Sequence, residues 1–299
     1  MTEPFVSVIM PTFNKLSRLR VVLQSFKYQK YSNLEIIICD DGSTDGTAEY
    51  LHQIRMPYPL HVVHINRKGA GAARNAAVSA SNGEILIFND DDMVPSPNFI
   101  SAHVDCCKSG RVLSRGKRWT LPIDRVENWL TMPVSVHNLR EMWKEARLTT
   151  AENWTFYALE ESPFHHYRFL QSCTSNLAVS RDTFDQVGGF NEEFATTWGA
   201  EDTDFGYRAQ RIGAEIVLSP KSSNLHLEHS VDSGEKFSKG LKNFQKLADI
   251  HRDQRDIQVL VKYVEMAIKN GHAAELFDEQ TFVEAESPIF YEASTHGEV

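Results

Sequence analysis

The amino-acid sequence predicts an α/β fold, a mostly parallel sheet flanked by helices. Three observations lead there. Short apolar runs alternate with segments of helical period from Val6 to Phe88. The runs are mostly apolar, with single polar interruptions such as Ser7 and Glu35, as expected of largely buried strands. Each run ends in turn-forming or acidic residues, so the chain reads as repeated strand–helix units.

The elements follow in order. Val6–Met10 is an apolar run closed by Pro11 and reads as a buried strand. Lys15–Tyr28 places Leu16, Leu19, Val22, Leu23 and Phe26 on one helical face. Leu34–Cys39 is a second strand, Leu60–Ile65 a third and Glu84–Phe88 a fourth. Between them, Asp40-Asp41-Gly42-Ser43 makes a turn, and Ser43 or Thr44 is expected to cap a helix running to about Ile54. Gly69–Ala80 is Ala-rich and helical in pattern. From 110 to 170 the periodicity weakens and aromatics accumulate, including Trp119, Trp129, Trp143 and Trp154. Short helices are expected at 181–187 and 201–212, a strand at Glu215–Leu218, and one or two amphipathic helices across 236–271.

In open parallel sheets, ligands bind beyond the carboxyl ends of the strands. The loops beginning at Pro11, Asp40, Asn66 and Asn89 all fall on that edge and all carry polar residues. The formal net charge of −9 weighs against a nucleic-acid binder. It does not exclude an anionic small substrate, because local bases or a bound cation can offset the field. The four cysteines, Cys39, Cys106, Cys107 and Cys173, form no disulfide framework and read as free thiols in a reducing compartment. No signal-peptide pattern opens the chain, and no apolar run approaches the roughly 20 residues that span a bilayer. The expectation is a cytoplasmic protein, with peripheral membrane contact left open and the oligomeric state unspecified.

Five motifs carry candidate chemistry. Asn89-Asp90-Asp91-Asp92 follows a buried strand, and three adjacent carboxylates repel unless solvent or a cation relieves them. Mg²⁺ and Mn²⁺ commonly bridge such carboxylates to phosphates. An isolated acidic triplet could equally be a solvated turn. In Asp40-Asp41-Gly42-Ser43-Thr44-Asp45, an Asx turn stands beside a candidate contact to a base or ribose. Asn66 to Asn75 carries Arg67, Lys68, Gly69, Gly71 and Arg74, so a helix start and bases could meet an anion, yet it matches neither a Walker A loop nor the G-x-G-x-x-G dinucleotide fingerprint. Trp198-Gly199-Ala200-Glu201-Asp202-Thr203-Asp204 opens a helix whose dipole favours carboxylates, and Asp202 could be a general base. His226-Leu227-Glu228-His229 offers two histidines that could share a metal ion or simply sit at the surface.

Taken together these residues resemble the family 2 glycosyltransferases of the GT-A fold, a Rossmann-like architecture. Pro11-Thr12-Phe13-Asn14, the Asp40–Asp45 segment, Gly71 with Arg74-Asn75, and Asp90-Asp91-Asp92 stand in the family's order, followed by Asn176-Leu177-Ala178-Val179 and Val187–Asn191. Trp198–Asp204 is similar to the W-G-x-E-D-x-D segment of β-1,4-galactosyltransferases, polypeptide GalNAc-transferases and chondroitin-type synthases, and His229-Ser230 fits a downstream metal ligand of the galactosyltransferases. Asn89 replaces the apolar residue usual before the acidic triplet, and no Q-x-x-R-W follows Asp202, which argues against a processive polymerase.

The resemblance implies a metal-dependent, inverting transfer of a sugar from a UDP-sugar to an acceptor hydroxyl. It implies that Asp202 is the catalytic base and that Glu201 orients a sugar. Pro11, Thr12, Asn14, Asp41, Arg67, Arg74, Asp90, Asp91 and Trp198 would hold the nucleotide sugar. Asp92, His229 and His226 would hold Mn²⁺ or Mg²⁺. The acceptor, whether glycan, lipid-linked sugar, peptide or small metabolite, is not specified. Residues 1–230 would form the transferase domain, with 1–92 binding nucleotide and 93–230 carrying acceptor and catalytic residues. Residues 231–299 would be a helical extension and tail. The rival classes are a nucleotidyltransferase and a non-catalytic sugar-binding protein on the same fold.

Overall fold

The computed structural model describes residues 3–108, 110–149, 163–194, 199–229 and 233–269. The amino-terminal part alternates β1 (Val6–Thr12), α1 (Leu16–Phe26), β2 (Leu34–Asp40), α2 (Thr47–Gln53), β3 (Leu60–His64), α3 (Ala70–Ser79) and β4 (Ile85–Asn89). These four strands pair in parallel, in the order β3-β2-β1-β4. Then follow β5 (Met93–Pro95), α4 (Phe99–Cys106), β6 (Val112–Leu121), α5 (Ile123–Thr131) and α6 (Val136–Lys144). After a 3₁₀ segment at Pro163–Gln171 come β7 (Asn176–Ser180), α7 (Arg181–Val187), α8 (Glu201–Arg211), β8 (Glu215–Leu227), α9 (Ser233–Ile250) and α10 (Arg255–Lys269). β7 joins antiparallel to β4 and β6, β8 runs parallel to β6, and β5 closes the far edge antiparallel to β8. The parallel pattern expected from the sequence thus holds in the half whose periodicity predicted it, and the second half mixes directions.

Side-chain alternation divides the core between the two faces of the sheet. Val8, Met10, Ile36 and Ile38 pack with Leu19, Phe26 and Phe99 on one face, while Ile9, Ile37 and Phe88 pack with Phe184 and Phe205 on the other. The second face also takes Leu247, Leu260 and Tyr263 from α9 and α10, so these helices share its core. Burial on both faces keeps β1, β2 and β4 mostly apolar, which is why they were readable; the edge strand β3 is only partly buried. Among the described residues no helix is long and apolar enough to cross a membrane.

Three local expectations are corrected. The cap of α2 is not Ser43 or Thr44. The Asp45 carboxylate accepts from the Thr47 amide at 3.2 Å and from the Thr47 hydroxyl at 2.6 Å. Ser43 and Thr44 are engaged elsewhere: the Ser43 hydroxyl accepts from the Asn14 amide at 2.9 Å, and the Thr44 amide donates to Asn14 Oδ1 at 2.7 Å. The stretch after 110 is regular from Val112 to Lys144. Arg115, Lys117 and Arg118 had masked a ten-residue strand there. The strand expected at 215–218 runs on to Leu227, through Pro220 and a polar stretch that erased its apolar signal. Trp154 and the acidic tail lie outside the described residues, as does Trp198.

Candidate active site

The carboxyl-end loops of the sheet enclose a cavity of about 600 Å³. Its lining comes from Pro11, Thr12, Phe13 and Lys15 after β1, from Asp41 after β2, and from the first turns of α3. Asp90–Asp92, Met93, Arg118, residues 173–175, Glu201, Asp202, His226 and His229 complete it. Residues far apart in sequence meet here because the carboxyl ends of β1, β2 and β4 and the amino end of antiparallel β7 lie at the same edge.

The three carboxylates of the turn after β4 have different partners. Asp90 Oδ1 accepts from Arg74 Nη2 at 2.9 Å. Asp91 Oδ2 accepts from the Thr12 hydroxyl at 2.7 Å. Burial, with the Asp92 charge beside it, pushes the Asp91 carboxyl up to about 8. Asp92 Oδ2 lies 3.1 Å from Lys15 Nζ, 3.4 Å from His229 Nε2 and 3.7 Å from His226 Nε2. Burial works to raise the Asp92 carboxyl, but bonds from both imidazoles and the charges of His226 and Lys15 outweigh it. The net effect holds Asp92 well below the usual carboxylate range.

Backbone pairing creates this cluster. Met93 stands opposite His226 in the β5–β8 ladder, and the Leu227 amide donates to the Asp92 carbonyl at 2.9 Å. One oxygen of Asp92 and one nitrogen from each histidine lie within 4.8 Å of one another. A carboxylate and two imidazoles brought together at the cavity wall are a donor set that would hold a divalent cation.

The helix start at 201 supplies two further carboxylates to the lining. Glu201 Oε1 accepts from Arg74 Nη1 at 3.2 Å. Arg74 therefore bridges the two acidic motifs from inside the protein, where it is only 4% exposed. Burial disfavours its charge, but Asp90 and Glu201 more than restore it. Asp202 Oδ1 accepts from the Thr203 amide at 2.8 Å. Burial and then the Glu201 charge raise the Asp202 carboxyl to about 7, with Arg74 acting against them.

Pro11, Thr12, Asp41, Arg74, Asp90 and Asp91 line the cavity together with Asp92, Glu201, Asp202, His226 and His229. Asp41 does so with both oxygens engaged by the amides of Lys68 and Gly69, at 2.7 and 2.8 Å. Asn14 and Arg67 do not line it. Asn14 ties the first loop to the second, and the Arg67 guanidinium lies 4.7 Å from the centre of the Phe13 ring. Two lining cations escaped the sequence reading. Lys15 had been read only as a helix start, and Arg118 sits in the unrecognised strand β6.

The model for Glycosyl transferase family 2 matches residues 7–165. The chain belongs to the family 2 glycosyltransferases. A second model, the N-terminal domain of galactosyltransferase, matches residues 156–230 and so covers the segment from Glu201 to His229. Hyaluronan synthase of Pasteurella multocida is 25% identical over 232 residues, covering 70% of this chain and 23% of that protein. The chain thus spans about a quarter of that relative's length. The mannosyltransferase PcManGT from Pyrobaculum calidifontis, solved with GDP-Man and Mn²⁺, superposes with a TM-score of 0.61 at 18% identity, covering 100% of this chain and 77% of that one. Staphylococcus aureus TarS 1-349, solved with UDP-GlcNAc, gives 0.56 at 18% identity, covering 94% of this chain and 79% of that one. The architecture is the GT-A fold.

Proposed function

We propose that the protein transfers a sugar from a UDP-sugar to an acceptor hydroxyl with inversion, using a divalent cation held by Asp92, His226 and His229. One observation carries this reading: the carboxylate–imidazole cluster and Asp202 open onto the same cavity. The family membership and a neighbour solved with GDP-Man and Mn²⁺ support it. Two imidazoles in the donor set favour Mn²⁺ over Mg²⁺, which prefers oxygen ligands. The cation would neutralise the donor diphosphate and the departing nucleoside diphosphate.

The chain's own residues do the rest. Asp202, with a carboxyl titrating at about 7, accepts the proton of the acceptor hydroxyl. As that oxygen attacks the anomeric carbon, the bond to the UDP oxygen breaks on the opposite face and UDP leaves. Lys15 and Arg118 add positive charge to the cavity wall where diphosphate charge grows. Glu201, fixed by Arg74, orients the sugar beside Asp202. In this reading residues 1–92 hold the nucleotide, and the wall from 93 to 230 receives the acceptor.

A donor panel tests the reading. UDP- and GDP-sugars incubated with Mn²⁺ or Mg²⁺ are expected to show UDP release from one UDP-sugar, faster with Mn²⁺. The anomeric configuration of the product, read by NMR, should be inverted. Release of pyrophosphate from a nucleoside triphosphate instead would overturn the assignment.

A further inference from the structure

The mechanism leaves one buried polar feature unused. Beneath the acidic turn, Ser114, His103, Asn176, Asn224 and Asn89 form a continuous hydrogen-bonded chain, and all five are 0% exposed. Buried polar groups are tolerated when every donor and acceptor is met. Here backbone carbonyls orient the three asparagines, and they in turn orient His103. Asn89 Nδ2 donates to the carbonyls of Asp90 and Met93, both at 2.9 Å, so its Oδ1 must face inward. There it accepts from Asn224 Nδ2 at 3.0 Å, which also donates to the Ser175 carbonyl at 2.7 Å. Asn224 Oδ1 accepts from Asn176 Nδ2 at 2.8 Å, and the same nitrogen donates to the Ser222 carbonyl at 2.9 Å. Asn176 Oδ1 therefore needs a donor and takes His103 Nε2 at 2.9 Å, leaving His103 Nδ1 to accept from Ser114 Oγ at 2.9 Å.

The ends of this chain matter. Asn89 stands three residues before Asp92, and its amide holds both ends of the turn that carries it. Asn224 stands two residues before His226 on β8. The Asn89–Asn224 bond thus joins the two segments that carry the cluster, and the Ser175 contact joins the loop at 173–175 on the cavity wall. Close packing defends the arrangement. A Cβ on Gly116 would collide with Asn176 Oδ1 and with the Ser222 carbonyl, so β6 needs glycine there. Burial also depresses His103 to about 3, which keeps the ring neutral with a single proton.

We infer that the Asn89–Asn224 bond, oriented by Asn176 and His103, sets the spacing between Asp92 and His226, making these positioning residues for the cation site. This rests on the reading of that cluster as a cation site. It also gives a reason for asparagine at 89, where the resembled family carries an apolar residue.

The test measures Mn²⁺ affinity by electron paramagnetic resonance, without turnover, in the wild type, Asn89→Leu, Asn224→Leu and the double variant. Residues that orient metal ligands typically contribute about tenfold or more to affinity. Each single variant is expected to lose about that much, and the double variant little more than the worse single, because the two act through one bond. Ser7→Ala, which cuts a buried bond to Glu35 far from the cavity, should lose stability with unchanged Mn²⁺ affinity. If the wild type binds no Mn²⁺, the cation site falls and this inference falls with it. If the wild type binds and the leucine variants bind equally, only the positioning role falls. Should those variants fail to fold, ¹⁵N NMR of the wild type decides. His103, assigned by its loss in His103→Gln, must be neutral and protonated on Nε2. A proton on Nδ1 would break the chain and overturn the inference.

Discussion

Two acidic segments meet at the cavity through Arg74, Asp90–Asp92 and Glu201–Asp204, and each divides its carboxylates among three environments. In each, one carboxylate meets Arg74, Asp90 on one side and Glu201 on the other. In each, one is raised towards neutrality, Asp91 to about 8 and Asp202 to about 7. In each, one is compensated by bases: Asp92 by Lys15 and two histidines, Asp204 by Arg208 and His251. The difference lies in access. Asp92 and Asp202 face the cavity, whereas Asp204 is fully buried against α9. A carboxylate's role follows from its partners and its access, not from its place in a motif.

The largest effect should come from the carboxylate with the least compensation. Asp202→Asn keeps the shape, and its Oδ1 can still accept from the Thr203 amide, but the variant cannot take a proton. Turnover is expected to fall by roughly 10³-fold, within the range for general-base removal, with donor affinity within twofold by calorimetry. Turnover within tenfold of wild type would remove Asp202 from the base role. Asp92→Ala should come next. It removes one of three converging donors, so Mn²⁺-dependent donor affinity should fall by at least about tenfold. An unchanged affinity would leave the imidazole pair without its proposed task.

How far this was legible depended on whether a residue's partner lay nearby in sequence. The units from β1 to β4 were readable because β1, β2 and β4 are buried and keep mostly apolar runs, while the edge strand β3 keeps Leu60, Val62 and Val63 alongside its histidines. The acid motifs were readable because each is contiguous. The bridge through Arg74 was not, since Glu201 lies 127 positions away and Asp90 16. Arg74 had been assigned to the nucleotide sugar, and although it lines the cavity, its contacts are to carboxylates. Strands β6 and β8 were hidden by basic residues and by Pro220, which is tolerated because it falls in the irregularity between Ser219 and Asn224, where the ladder to β6 is interrupted. Asn89 stood out only as a departure from the resembled family, and its partner Asn224 lies 135 residues away.

The Arg74 bridge sharpens the comparison through pH. Asp202 must be deprotonated to act as a base, so kcat/KM in the wild type should rise with pH through about 7. Arg74 lowers the Asp202 value, so Arg74→Met should move that rise to higher pH while stranding Asp90 and Glu201. Loss of one partner from a buried ion pair typically costs about 3 kcal/mol or more, read here from urea unfolding. Stability carries the opposite pH trend to activity. A carboxyl raised from 3.8 to about 7 binds its proton more tightly when folded, so this group's contribution declines as pH climbs between those values. An Arg74→Met profile superposable on the wild type would mean that Asp202 does not set the rise.

The smallest effect on turnover should come from the acid most deeply buried, and it isolates access as the deciding variable. Asp204 shares a helix with Asp202, yet its oxygens are fully committed: Oδ2 accepts from Arg208 Nε at 2.8 Å and Nη2 at 2.7 Å, and Oδ1 meets His251 Nε2 at 2.8 Å. These bonds tie α8 to α9 and to the loop at 187–189, whose carbonyls Arg208 also reaches. Asp204→Asn would turn an amide nitrogen towards one of those donors and uncouple the docking. The expected result is a loss of about 3 kcal/mol in urea unfolding, with turnover per folded molecule within about threefold, since general-base losses of 10² or more need a group at the reacting proton. The same substitution two residues apart on one helix would then give opposite signatures, one in rate and one in stability. If folded Asp204→Asn loses turnover as Asp202→Asn does, Asp204 holds Asp202 in place through the helix, and the division between buried brace and cavity base gives way to a single coupled unit.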